Sequence, residues 1–292
     1  MENESNRKVT DLLYAEKVDM GGFPVRQPLP TRNVDMIDPF LLLHHAEIKF
    51  TENIHPLKEG VGPHPHRGFS PVTFVFKGGV HHRDSRGNNS VIYSGGTQWM
   101  NAGMGIIHSE RPPENIIELG GVQEIIQLWI NTTRRHKMDI PSYFGLSDTD
   151  TPEVPVSDEK AHIKIVSGEY GGIQGPVPSN TEVLALRMAF GKGGSHFFRL
   201  PENYNAWIYA LDGKLDLGGY GMMEGLNMAV LDTSGAGIHV EALVDTRFIL
   251  MAGKPLHEPV ESYGPFVMTN ATEIMEAMRD YQMGKMGVLI EE

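Results

Sequence analysis

Short runs rich in Val, Ile, Phe, Tyr and Trp recur along this chain, regularly punctuated by glycine and proline. PVTFVFKGG, SVIYSGG, EIIQLWIN, HIKIVSG, EVLALRMAF, AWIYALDGKLDL and TRFILMAG all follow this pattern. Branched and aromatic side chains suit a pleated, half-buried surface, and 33 glycines and 19 prolines supply the turns between runs. The pattern predicts an all-β sandwich or barrel. One clear helix is expected over ATEIMEAMRDYQMGK at 271–285, where Ile274, Met275, Met278 and Tyr281 recur at three-to-four spacing after an Asn-Ala-Thr opening. With Gly284 near its end, this helix is expected to pack across a sheet.

A length of 292 residues favours two domains of ordinary size. The segment SDTDTPEVPVSDE at 147–159 is acidic, carries two prolines and lacks apolar periodicity, so it reads as a linker. It divides the chain into residues 1–146 and 160–292, and strand-like runs separated by Gly-rich turns stand on both sides. Two weakly similar β-domains are expected.

Several function classes are disfavoured. Without a cysteine there is no disulfide, thiolate metal site, iron–sulfur cluster or cysteine nucleophile. Any metal must be held by His, Asp or Glu. The net charge is −12, and the basic residues form no stripe; TTRRHK at 132–137 reads as a solvated turn. Direct nucleic-acid binding is therefore not expected. No run of about 18 apolar residues is present, and MENESNRKVTDLLYAEKV lacks the apolar stretch of a secretory signal, so a cytoplasmic protein is expected. Neither a Gly-x-Ser-x-Gly elbow nor a Walker-type phosphate loop occurs, and the glycines at 213–221 lack the context of a dinucleotide site.

Chemistry concentrates in two places. In GPHPHRGF, His64 and His66 stand two apart, so on a strand both imidazoles project from one face while Pro65 points away. Proline there fits the start of a strand. In GGTQWMNAGMGIIHSE, His108 and Glu110 repeat the two-apart spacing. If these strands are neighbours in a barrel, three imidazoles and one carboxylate converge, a set that suits ferrous iron, manganese, nickel, copper or zinc. The adjacent pairs His44–His45 and His81–His82 point opposite ways on a strand and are not expected to ligate; replacing His81 and His82 is expected to matter little. His196 and His239 have no two-apart partner, so the second domain is expected to be metal-free.

These residues resemble the pirin family of two-domain cupins. The likeness runs through PHPHRGF at 63–69, HRDSRGN at 82–88, QWMNAGMGIIHSE at 98–110, IQLWIN at 126–131, GKPLHEPVESYGPFVM at 253–268 and DYQMGKMG at 280–287. It implies a bicupin, two jelly-roll-type β-barrels with one metal in the N-terminal barrel, held by His64, His66, His108 and Glu110. The family is associated with iron, with Zn, Mn, Ni or Cu as alternatives. Some members resemble quercetin 2,3-dioxygenase, opening a flavonol with molecular oxygen and releasing carbon monoxide. The resemblance thus implies a planar phenolic substrate, with Glu110 as the base for its 3-hydroxyl proton and with Phe69, Phe74 and Trp99 as candidates to line the slot.

The alternative reading is a metal-holding regulatory or interaction protein without turnover, engaging a protein partner; a third is an isomerase or hydrolase using the same metal. A monomer is expected, because no coiled-coil heptads appear. Two departures from the family pattern stand out. Ser70 replaces a usual Glu after PHPHRGF, and PFVMTN replaces PFVMNT. The ligand set is intact, and Ser70, four past His66, is expected on the same face if the strand continues without a bulge.

Overall fold

The computed structural model describes residues 5–51 and 55–291. The chain opens with β1 (Val9–Tyr14), β2 (Glu16–Met20) and β3 (Phe23–Leu29). There follow β4 (Phe40–Lys49), β5 (Val61–His66), β6 (Phe69–Lys77), β7 (Gly79–Asp84), β8 (Asn89–Tyr93), β9 (Thr97–Asn101), β10 (Ile106–Arg111), a short helix α1 (Glu114–Glu118), β11 (Val122–Asn131) and β12 (Ser142–Leu146). The next stretch holds β13 (Ala161–Ser167), β14 (Glu169–Tyr170), β15 (Ile173–Gln174), β16 (Val183–Phe190), β17 (Ser195–Arg199), β18 (Asn205–Ala210), β19 (Lys214–Leu217), β20 (Gly221–Glu224), β21 (Asn227–Leu231), β22 (Gly237–Ala242) and β23 (Thr246–Gly253). Last come β24 (Glu261–Tyr263), β25 (Phe266–Met268) and helix α2 (Ala271–Gln282). The fold is all-β, as the punctuated runs predict. Among the described residues no helix is long and apolar enough to cross a membrane.

These elements form two compact units, each discontinuous in sequence. The residues up to Leu41 join Thr151–Pro255, and Leu42–Asp150 joins the residues from Leu256 onward. A single cut at 147–159 does not follow this grouping, because the chain ends pair elsewhere. β1 runs antiparallel to β21, with Leu12 opposite Ala229. Just before it, the buried Arg7 guanidinium donates to the carbonyls of Tyr204 and Pro201 at 2.7 and 2.6 Å. The expected linker is also pinned. Val154 is buried and its N–H donates to Ile163 O, while Ile165 N–H donates to Pro152 O.

The unit containing Thr151–Pro255 pairs a sheet of order β1-β21-β18-β23-β16-β13 with one of order β17-β22-β19-β20. Its interior is apolar. Phe190, Phe198 and Phe248 are almost fully buried, and the rings of Phe190 and Phe248 meet edge-to-face at 4.9 Å.

The other unit repeats the design, with sheet orders β5-β10-β7-β8 and β12-β9-β6-β11-β4. β5 passes into β6 through a tight corner at Arg67–Gly68. Gly68 has φ of 85°, and a Cβ there would lie 2.1 Å from Val267 O, so only glycine fits. The TTRRHK segment does turn, but Lys137 is buried beneath it. Its ammonium donates to Gly68 O, Asn131 Oδ1 and Val267 O at 2.7, 2.6 and 3.1 Å, clamping the corner to β25. Burial pulls Lys137 down to about 8, which leaves it charged near neutral pH.

In α2, Asn270 caps the first turn by accepting from Glu273 N–H. The helix buries Ile274 and Ala277 beside Phe266 and Met268. Met275, expected in the buried stripe, is exposed because the inward face runs through Ile274 and Ala277, and Tyr281 stands at the rim of that face, part exposed with its ring 6.4 Å from Phe266.

The apolar interior of the first-described unit yields a stability test. Phe198→Ala should cost about 3–5 kcal/mol through the cavity it leaves, measured by guanidinium unfolding. A loss under about 1 kcal/mol would mean that the aromatic trio is not packed as described.

Candidate metal centre

β10 is the middle strand of the site, antiparallel to β5 on one side and to β7 on the other. His108 faces His64 directly across the β5 pairing, and His66 lies two residues further along β5, opposite Ile106. Period-two alternation therefore brings three imidazoles to one face. Their ring centroids lie 4.3 to 4.9 Å apart, and one ring nitrogen from each falls within 4.8 Å of the others. Among the described residues this is the group able to hold a metal ion.

The hydrogen bonds show which nitrogens are bare. His64 Nδ1 lies 2.8 Å from Gly62 O, and His66 Nδ1 lies 3.4 Å from Pro265 O. A carbonyl only accepts, so each Nδ1 carries the proton of its neutral ring and each Nε2 presents a lone pair. Those two Nε2 atoms stand 3.1 Å apart with no proton left to share. His108 Nε2 is buried without a hydrogen-bond partner. Three lone pairs converging in this way fit a cation, and the all-nitrogen set suits a divalent transition metal.

Glu110 lies outside the three-imidazole group. Between His108 and Glu110 the β5 partner moves from His64 to Val61, so β5 carries an extra residue at Gly62–Pro63, a β-bulge. The carboxylate is held by the facing sheet. Oε1 accepts from Thr73 Oγ1 at 2.9 Å and from Gln98 Nε2, and Oε2 accepts from Gln127 Nε2 at 2.7 Å. Three neutral donors satisfy a buried carboxylate, as burial demands.

Of the expected aromatic lining, Phe69 is in place, its ring 5.0 Å from His66. Phe74 alternates with Thr73 on β6 and Trp99 with Gln98 on β9, so both face away from the site. The second wall is Trp129, 5.4 Å from His66 and 4.3 Å from Phe69, and it is only half-buried. Its place two residues beyond Gln127 on β11 was the available signal. Ser70 does not share the face of His66, because the chain turns at Gly68. It lies on β6, alternating with Phe69, and its hydroxyl donates to Asn101 Oδ1 at 2.7 Å.

Two histidines set aside from the sequence also separate here. His81 faces outward to Asn89 at 2.7 Å. His82 is fully buried, with its Nδ1 3.4 Å from His108 Nδ1. The two were expected alike to matter little when replaced; the structure separates them, since alternation turns His82 inward against His108 and His81 outward.

Burial, reinforced by His64, holds His66 well below its ordinary value of 6.5. Burial and the neighbouring imidazoles of His64, His66 and His82 do the same for His108, and burial lowers His44 to about 4. These rings stay neutral when folded but take protons below about 6.5 when unfolded, so the unfolded state binds more protons as pH falls. Stability of the metal-free protein should therefore decline below about pH 6.5, by up to about 1.4 kcal/mol per pH unit for each such histidine, with the His44 share levelling off near pH 4. Denaturant unfolding between pH 7 and pH 5 checks this, and a flat profile would contradict it.

Comparison with known proteins agrees with this geometry. The chain matches the Pirin family model over residues 22–130 and the model of the pirin C-terminal cupin domain over residues 185–287. It is 36% identical to a Pseudomonas aeruginosa protein whose quercetin 2,3-dioxygenase name is provisional, over 90% of this chain and 92% of that one. It is 34% identical to pirin-like protein 2 of Arabidopsis thaliana, over 97% of this chain and 86% of that one. A solved quercetin 2,3-dioxygenase from Acinetobacter baumannii superimposes with a TM-score of 0.90 at 33% identity, covering 98% of this chain and 100% of that one. The two barrels, the three-imidazole group and these likenesses place the chain in the pirin family of bicupins.

Proposed function

We propose that this protein is a metal-dependent dioxygenase that opens a flavonol such as quercetin with molecular oxygen. The observation that carries the reading is the convergence of three bare imidazole nitrogens beside the Phe69–Trp129 wall. Relatives and a solved structure named for quercetin 2,3-dioxygenase support it.

His64, His66 and His108 would hold one divalent cation, iron(II) first, with Zn, Mn, Ni or Cu as alternatives, and Glu110, two residues beyond His108 on β10, would turn toward it to serve as a fourth ligand. When bound, the cation supplies Lewis-acid stabilisation of the flavonol anion and a means of engaging oxygen.

The chain's own residues do the rest. Trp129, half-buried and backed by the fully buried Phe69, presents an apolar ring to a planar substrate, and offset or edge-on stacking orients it. Glu110 takes the 3-hydroxyl proton at Oε2, the oxygen with one donor where Oε1 has two. Thr73, Gln98 and Gln127 keep that carboxylate aimed from the facing sheet.

Protein loaded with ferrous iron, and separately with each other metal, should consume quercetin in air, with loss of flavonol absorbance and release of carbon monoxide in step. No turnover with any metal, together with retention of a protein partner in a pull-down, would replace the enzyme by the regulatory reading. His66→Ala should lower bound metal at least about tenfold while far-UV circular dichroism stays unchanged; unaltered metal content would refute the ligand assignment.

A further inference from the structure

Behind His108, on the side away from His64 and His66, a second chain of polar contacts runs from β10 into β7 and its turn. His108 Nδ1 meets His82 Nδ1 at 3.4 Å, and His82 Nε2 meets Asp84 Oδ2 at 3.0 Å. His82 and the Asp84 carboxylate are fully buried. We infer that Asp84 and His82 are positioning residues that set the tautomer of His108, so that its Nε2 presents a lone pair to the cation. The inference rests on the three-imidazole site holding a metal and is independent of the reaction performed there.

The direction of each hydrogen bond follows from the far end. Asp84 is fixed as an acceptor: Oδ1 receives the backbone N–H groups of Arg86 and Asn88 at 2.8 and 3.1 Å, and Oδ2 receives Asn88 Nδ2 at 2.7 Å. His82 Nε2 must therefore donate to Oδ2, which leaves the Nδ1 of a neutral His82 as an acceptor. His108 Nδ1 faces that acceptor and so carries the proton of its own ring. Its Nε2 is bare, in agreement with the absence of any partner at that buried atom.

The His82 ring is also held in place. It stacks on Tyr143 at 4.1 Å and 10°, and the Tyr143 hydroxyl is tied to Ser90 at 2.7 Å. A neutral imidazole has one proton and two nitrogens, so whichever group meets its far nitrogen decides which nitrogen can ligate. His64 and His66 use backbone carbonyls for this purpose, whereas His108 uses a side-chain relay that mutation can reverse.

Asp84→Asn supplies that reversal. Oδ1 must remain oxygen to receive two backbone N–H groups, so the amide NH₂ takes the Oδ2 position, the Asn88 amide turns over to accept one of its protons through Oδ1, and the other proton is donated to His82 Nε2. His82 then carries its proton on Nδ1 and donates to His108 Nδ1, which drives the His108 proton onto Nε2, the nitrogen aimed at the cation. His82→Phe keeps the stack on Tyr143 but removes the acceptor altogether.

The test uses the full chain. Long-range proton–nitrogen NMR of the metal-free protein should show His108 protonated at Nδ1 in wild type and at Nε2 in Asp84→Asn. Affinity for Co(II), measured by chelator competition, should fall about 10–100-fold in Asp84→Asn and His82→Phe. His81→Ala should bind as wild type does. Thermal unfolding identifies a variant that fails to fold, and the Asp84→Asn tautomer remains decisive if His82→Phe is lost. Wild-type Co(II) affinity and an unchanged His108 tautomer in folded Asp84→Asn would overturn the inference while leaving the metal site intact. Failure of the wild type to bind any divalent cation would overturn both.

Discussion

Three neutral imidazoles with their bare nitrogens turned toward one another cannot stabilise themselves, and the surroundings of this centre are arranged to impose that juxtaposition. Each ring must have its proton drawn to the far side. Gly62 O does this for His64, Pro265 O for His66 and the His82–Asp84 pair for His108. Those three acceptors come from the bulge in β5, from the segment leading into β25, and from β7. The constraint gives a reason for features that look unrelated along the chain. The bulge at Gly62–Pro63, the clamp of Lys137 on Gly68 and Val267, and the inclusion of the last strands and helix in this unit all bear on how the rings are held.

The two units put one strand arrangement to different uses. In each, a four-stranded sheet faces a larger one, with orders β17-β22-β19-β20 and β5-β10-β7-β8. The first interior is filled by Phe190, Phe198 and Phe248, and its stability comes from area removed from water. The second gives up much of that apolar filling for imidazoles, a carboxylate, amides and a hydroxyl. Buried polar groups are tolerable only when partnered. Glu110 has three donors and Asp84 four. Among the buried polar atoms of this unit without a hydrogen-bond partner is His108 Nε2, on a ring 4.3 Å from that of His64 and 4.9 Å from that of His66.

Much of this was legible in the residues. The all-β class follows from short branched and aromatic runs ended by glycine, and the grouping of His64, His66 and His108 follows from two-residue spacing on two strands. Ser70 was misplaced because spacing counts along one strand, and Gly68 starts a new one. Phe74 and Trp99 are aromatic residues of the right kind on the wrong faces, while Trp129 faces the site from a strand that carries no histidine. Adjacent histidines do point opposite ways, as alternation requires, yet that same alternation sends His82 inward.

By itself the sequence determined which residues can share a face, since period-two alternation is local and needs no knowledge of neighbours. It also limited a metal centre to histidine and carboxylate ligands, because cysteine is absent. Only the tertiary structure decided which faces meet. Strand partners, the corner at Gly68, the bulge opposite β10 and the pairing of the chain ends are contacts between residues distant in sequence. The same is true of the proton on His108: its position depends on an acceptor 26 residues away, brought close only when β7 pairs with β10.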